Sequence, residues 1–209
     1  MHSRARLQFA AVVVLIAAYS LLSHYATSHP QAQDLGAALA LAPMLTIGLA
    51  LIWRSSGAPQ AFLAAAAAWL LLRHYWPLLT QNFTLVVLTQ QCGFYAIMAV
   101  SFGGTLRSGK VPLCTRLAGK VHGPLTVREL KYTRSVTVAW VIFFLLNLAA
   151  TLLIFEFAPL RVWSLFVNFC ALPLILLMFV AEYAVRRVAL PRGPRGLMAT
   201  LRVYFANPP

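Results

Sequence analysis

Negative charge is what this chain has least of. Its 209 residues hold four carboxylates, Asp34, Glu129, Glu156 and Glu182, against seventeen Lys and Arg, so acid–base chemistry has little material to work with. Charge of either sign is scarce, at 10% of residues, where soluble domains carry about 25%. That excludes an ordinary soluble globular domain. Cysteine is nearly missing too. Cys92 and Cys170 fall inside apolar runs, Cys114 lies in a basic segment, and no C-x-x-C spacing joins them, so neither a disulfide nor a structural zinc is expected. P-loop, G-x-G-x-x-G, G-x-S-x-G and H-E-x-x-H motifs are all absent, which removes the common nucleotide-binding, hydrolase and zinc-protease chemistries. No cofactor is expected.

What is present is apolar sequence in long runs, with 61% hydrophobic residues. Six stretches are long enough to cross a bilayer, at about 7–25, 35–53, 59–76, 83–102, 136–155 and 162–185, which makes the expected fold all-α and polytopic, one six-helix membrane domain over 1–190. Arg4 and Arg6 precede Leu7–Leu22, but no A-x-A site follows it, so the first run reads as a retained helix and not a cleaved signal. The third run is the least regular. Ala61–Leu72 is short and rich in alanine and passes into Arg73, His74, Tyr75 and Trp76 before Pro77, so its end is expected to tilt or to use the aromatics as an interfacial belt. In the fourth run Gln90 and Gln91 need partners and Gly93 would permit close helix approach, so that helix should face protein.

The positive charge has a pattern. With both termini in the cytoplasm, fifteen Lys and Arg lie inside and only Arg73 and Arg161 outside, a strong orientation signal under the positive-inside rule. A net charge of +13 is therefore assigned first to anionic headgroups, with no nucleic acid as partner. Seven of these residues, from Arg107 to Arg134, crowd the segment Gly103–Ser135 against the single acid Glu129. Within it Pro112, Gly123 and Pro124 bracket Leu113–His122 as a short helix, with Pro112 as a first helical residue and Gly123 as a left-handed stop. Leu113, Cys114, Leu117, Ala118 and Val121 share one arc beside Arg116 and Lys120, the pattern of a helix lying in the membrane interface between spans four and five. Thr126 and Glu129 form a capping box, so a new helix should start at Val127 and run unbroken through Phe155, lifting Arg128, Lys131 and Arg134 on one side into the cytoplasm. Pro173, which frees the carbonyl of Phe169, and Asn168 make the sixth run irregular. Residues 191–209, with four prolines and several basic residues, read as a flexible cytoplasmic tail.

The words Pro112-Leu113-Cys114-Thr115-Arg116, His122-Gly123, Lys131-Tyr132-Thr133-Arg134-Ser135-Val136-Thr137, Ala158-Pro159, Trp163-Ser164-Leu165-Phe166-Val167-Asn168 and Glu182-Tyr183 resemble a family of small bacterial inner-membrane proteins. Its members accompany fatty-acid-synthase-like gene sets that make aryl polyene or xanthomonadin-type pigment lipids. The resemblance covers about Phe102–Arg187. It implies an inner-membrane setting and a lipid pathway, and no chemistry that transfers residue by residue.

Individual residues allow several readings. Glu182 is the one carboxylate placed within a span, where ionisable groups are costly and functional by default; a pair with Arg186 at i+4 near the interface is the simpler account. His24, His29, His74, Asp34 and Glu156 share the outer side without a metal-ligand spacing. His122 suits a helix end near the C-terminal dipole better than a catalytic base. Three function classes follow. A non-catalytic component that docks or organises a lipid-biosynthesis or export system through its basic face fits best. A transporter or flippase of a lipidic product would use Pro43, Pro173, Gln90, Gln91 and Asn168. A membrane acyl- or phosphotransferase would use Arg107, Arg116, His122, Tyr132 and Arg134, but without a nucleophile–base pair. For the basic segment, anionic headgroups are the first partner. The resemblance adds an acyl carrier protein, whose acidic helices dock on Arg and Lys patches.

Overall fold

A computed structural model describes the backbone of residues 2–190, and the side chains of these except at 2–7, 9, 30 and 122. The tail 191–209 lies outside the described residues. The fold is all-α, without a strand among the described residues. The elements are α1 (His2–Ser28), a 3-10 turn (Pro30–Ala32), α2 (Gln33–Ser56), α3 (Ala58–Gln81), α4 (Phe83–Gly104), α5 (Leu113–His122), α6 (Val127–Phe157), α7 (Leu160–Leu165), a π-helical turn (Phe166–Cys170) and α8 (Ala171–Ala189). Among the described residues six helices are long and apolar enough to cross a membrane, the last formed by α7, the π turn and α8 together. This is a multi-pass helical membrane protein.

The chain divides into two compact units. One is built from residues up to Gln91 with Ile154–Phe169, the other from Cys92–Leu153 and from Cys170 onward. In the first unit α2 and α3 form a hairpin whose only connecting residue is Gly57, at φ 90° and ψ 177°, a backbone region that only glycine enters without strain. The hairpin is fastened at both ends. Trp53 meets Phe62 edge-on at 6.0 Å beside the turn, and Trp76 Nε1 donates to Asp34 Oδ1 at 2.8 Å at the open end. Asp34 is thus more than a loop carboxylate. Helix α3 has 24 residues and continues through Pro77 to Gln81, so it is about 36 Å long, ample for a span. The helix that carries the third span is therefore neither short nor ended at Trp76.

Pro43 sits inside α2. Lacking an N–H, it leaves the carbonyl four residues back without its helical donor, and in hydrocarbon no water replaces it. That carbonyl belongs to Leu39, and it accepts the Tyr19 hydroxyl of α1 at 3.1 Å. One residue on, Ala40 O accepts Gln90 Nε2 of α4 at 3.1 Å, and Thr46 Oγ1 donates to Ala42 O and Pro43 O. A proline break thereby becomes the point where α1 and α4 are tied to α2.

In the second unit Tyr95, Ala99, Trp140 and Phe144 are buried together, with Phe102, Phe143 and Met178 against them. Trp140 meets Phe179 at 4.9 Å and Phe102 meets Phe144 at 5.4 Å. Such aromatic pairs each contribute about 0.5–1.5 kcal/mol beyond area burial. On α4 Ile97 and Val100 are exposed while Tyr95 and Ala99 are buried, so this helix has an outward face as well as an inward one. A methyl group at Gly93 would meet no atom within 4 Å, so this glycine does not serve close approach.

The Tyr19 bond yields a direct test. Tyr19→Phe keeps the ring and removes the donor to Leu39 O, at an expected cost of about 1 kcal/mol. Thermal unfolding in detergent should show a lower midpoint than the parent; an unchanged midpoint would show that the broken turn needs no donor.

Candidate functional site: an apolar cleft with a polar end

Helix α6 starts as its capping box dictates. Thr126 N donates to Glu129 Oε2 at 2.8 Å and Glu129 N to Thr126 Oγ1 at 3.4 Å, and the helix then runs 31 residues without interruption. Its buried residues are Thr133, Thr137, Trp140, Phe144, Asn147 and Thr151, alternating steps of four and three. That is the 3.5-residue repeat of a helix packed along one seam. The polar members satisfy themselves on their own helix: Thr137 Oγ1 donates to Thr133 O, Asn147 Nδ2 to Phe143 O and Thr151 Oγ1 to Asn147 O, all at 2.8–2.9 Å.

The same threonines hold α5. Pro112 is its N-cap, one place earlier than expected, and offers no side-chain acceptor, so the first amides need acceptors from elsewhere. Leu113 N donates to Thr105 Oγ1 at 3.0 Å and Cys114 N to Thr137 Oγ1 at 3.3 Å. Thr115 Oγ1 and Thr133 Oγ1 lie 2.7 Å apart, both buried. At its far end Gly123 takes φ 75° and ψ −148°. That is a glycine-only conformation, but an extended one and not the left-handed helical stop.

Between these helices lies a cavity of about 410 Å³. Cys114, Leu117, Ala118 and Val121 of α5 form one wall. The apolar arc of α5 thus borders a cleft within its own unit. Trp140 and Phe144 of α6, Phe94 and Phe102 of α4, and Ile175 and Phe179 of α8 form the others. At one end are Glu129, Tyr132, Glu182 and Arg186. The Tyr132 hydroxyl lies 3.1 Å from both Glu182 O and Glu182 Oε1. The arrangement can hold a long apolar group and meet its polar end with hydrogen bonds.

Of the candidate residues, then, Tyr132 and Glu182 are brought together. Arg107, Arg116, Arg128, Lys131 and Arg134 are exposed on the second unit, and Arg134 Nη2 donates to Leu106 O at 3.3 Å. The side chain of His122 lies outside the described residues. Asn168 belongs to the first unit, where its Nδ2 donates to Ser164 O at 2.9 Å and lies 3.2 Å from Ser164 Oγ, inside the π turn that precedes Pro173. His24 Nδ1 is 2.9 Å from the same Ser164 Oγ. A serine and a histidine at that distance resemble a nucleophile and its base, but Ser164 is fully buried, so the pair ties α1 to α7. His29 Nδ1 lies 2.9 Å from Tyr25 O, and no group of three or more metal-ligating side chains occurs among the described residues. A second cavity of about 160 Å³ in the first unit is bordered by hydroxyls and amides, among them Tyr19, Ser23, Thr27, Gln90, Gln91 and Asn168.

Beyond their place in the words that carry the resemblance, sequence reasoning gave Thr115, Thr133, Thr137 and Ser164 no role. Thr133 and Thr137 carry a legible signal, polar residues at the seam spacing of α6; Thr115 on α5 and Ser164 have none. No family model, curated protein or solved structure matches the chain.

Cys114 reports on how closed the cleft wall is. Burial pushes its thiol above the ordinary value of 9.0, Glu182 adds to the rise, and the Thr137 hydrogen bond works against both. The thiolate is the reactive form, so a raised pKa moves reactivity to higher pH. In a Cys92→Ala, Cys170→Ala background, the pH–rate profile for alkylation of Cys114 should have its midpoint above the ordinary value of 9.0. A midpoint at or below 9.0 would mean an open, solvated thiol.

Proposed function

We propose that this chain is a non-catalytic accessory protein of the bacterial inner membrane, docking a soluble acidic partner for a lipid- or polyene-making or exporting system. The observation that carries the reading is the start of α6, where Arg128, Lys131 and Arg134 are all exposed on a helix fixed by its capping box. Lys110, Arg116 and Lys120 in the same unit are exposed as well. Positive charge of this density, rigidly held, attracts acidic surfaces and anionic headgroups alike. The lipid pathway and the acyl carrier protein as acidic partner rest on the resemblance of Phe102–Arg187. With fifteen of seventeen basic residues on alternate loops, we place this face and both termini in the cytoplasm.

A reporter fused after Lys120 should read cytoplasmic. In nanodiscs of neutral lipid, the carrier encoded beside such a gene set should bind at low salt, where exposed charges are least screened. An Arg128, Lys131 and Arg134 triple-alanine variant should weaken that binding by about tenfold. Absence of binding at low salt would leave the basic face to orientation and headgroups.

A transporter of a lipidic product is the second reading, favoured by the proline break in α2 and the hydroxyl- and amide-bordered cavity of the first unit. Glu182→Gln separates the two. For an accessory protein it keeps an acceptor for Tyr132, so product levels should stay near those of the parent strain and stability should fall by no more than about 1 kcal/mol. Loss of product while the protein accumulates normally would favour a transport or catalytic role.

A further inference from the structure

The cleft of the second unit has dimensions and a charge pattern that name a ligand class, independently of whether a carrier docks. Its volume of about 410 Å³ is toward the small end of the ~300–1,000 Å³ of small-molecule sites. It is also long. Along α6 it is bordered from Tyr132 to Phe144, about 18 Å at the helical rise per residue. That is close to the hydrocarbon depth of one leaflet, half of about 30 Å. A cleft of this volume and of leaflet length suits one aliphatic chain.

The polar end selects the head. It presents two carboxylates, Glu129 and Glu182, against one guanidinium, Arg186, together with the Tyr132 hydroxyl. A phosphate or sulfate placed there would face two like charges against one opposite charge, which is unfavourable in a partly desolvated site. A hydroxyl, ester or amide brings no charge and can accept from Arg186 and, where it has a proton, donate to Glu182 or to the Tyr132 oxygen, whose own proton goes to Glu182. The apolar wall contains no charged side chain from Phe94 through Trp140, Phe144, Ile175 and Phe179. We infer that this cleft binds a single-chain amphiphile with an uncharged hydrogen-bonding head, its head at Tyr132 and Glu182 and its chain against Trp140 and Phe144.

Trp140 is a built-in reporter. The full chain in nanodiscs is titrated with a monoacylglycerol brominated in mid-chain, and tryptophan emission is followed. Saturable quenching is expected, and Trp140→Phe should remove the saturable part. Ala118→Phe, which fills the cleft from α5, should weaken binding at least tenfold. Tyr132→Phe, which removes only the hydroxyl, should weaken it about fivefold. A brominated lysophosphatidate should bind at least fivefold more weakly than the monoacylglycerol. Quenching that rises without saturation, or that brominated two-chain phosphatidylcholine reproduces, would overturn the site in favour of bulk lipid contact. Equal binding of the lysophosphatidate would overturn the head assignment. Should Ala118→Phe fail to fold, Trp140→Phe and Tyr132→Phe decide: unchanged quenching in both contradicts the proposal.

Discussion

Hydrocarbon supplies no hydrogen bonds, and that constraint accounts for where this chain keeps its few polar side chains. At several places where the backbone departs from regular helix, a hydroxyl or amide bonds to it. Pro43 deprives Leu39 of a donor and Tyr19 supplies one. The first amides of α5 follow a proline N-cap that accepts nothing through its side chain, and Thr105 and Thr137 accept them. The π turn before Pro173 carries Asn168, whose amide donates to Ser164 O. In an apolar environment these bonds have no competing solvent, though double-mutant measurements in membrane proteins put the typical side-chain bond near 0.6 kcal/mol. Their effect is on position more than on total stability, since each ties one particular residue to one particular carbonyl or amide.

The cleft follows from that positioning. A ten-residue helix is too short to be stable alone, and α5 is held by Thr105, Thr133 and Thr137 at its first turn. Held there, it presents Leu117, Ala118 and Val121 to the cleft while Arg116 and Lys120 stay exposed. One short helix thus contributes both to a wall for an apolar ligand and to a basic surface. The start of α6 has the same double character, with Tyr132 and Thr133 turned inward and Arg128, Lys131 and Arg134 outward.

Much of this was legible from residues alone, and the reason differs from case to case. Helix length and apolarity gave the six spans, because a hydrocarbon core sets both. Pro112, Gly123, Thr126 and Glu129 located α5 and the start of α6, because capping is local chemistry. The end of α3 was not legible, since Arg73 to Trp76 and Pro77 read as its close while the helix continues to Gln81 and Trp76 donates to Asp34 across the hairpin. Gly93 was misread because an absent side chain suits an open surface as well as a close contact. The cleft could not be seen, because its walls come from four separate segments. Only the threonine spacing in α6 hinted that this helix has an inward seam, and only the fold joins Tyr132 to Glu182, fifty residues apart.

The central claim is that α5 is pinned to α6 by threonine hydroxyls and so makes one wall of a cleft. Amide hydrogen exchange in nanodiscs tests it at the two residues concerned. Leu113 and Cys114 amides should be as well protected as those in the middle of α6, and Thr137→Val should release Cys114 selectively. Exchange at both amides as fast as in the exposed stretch Ser108–Lys110, in the unmodified protein, would contradict the account.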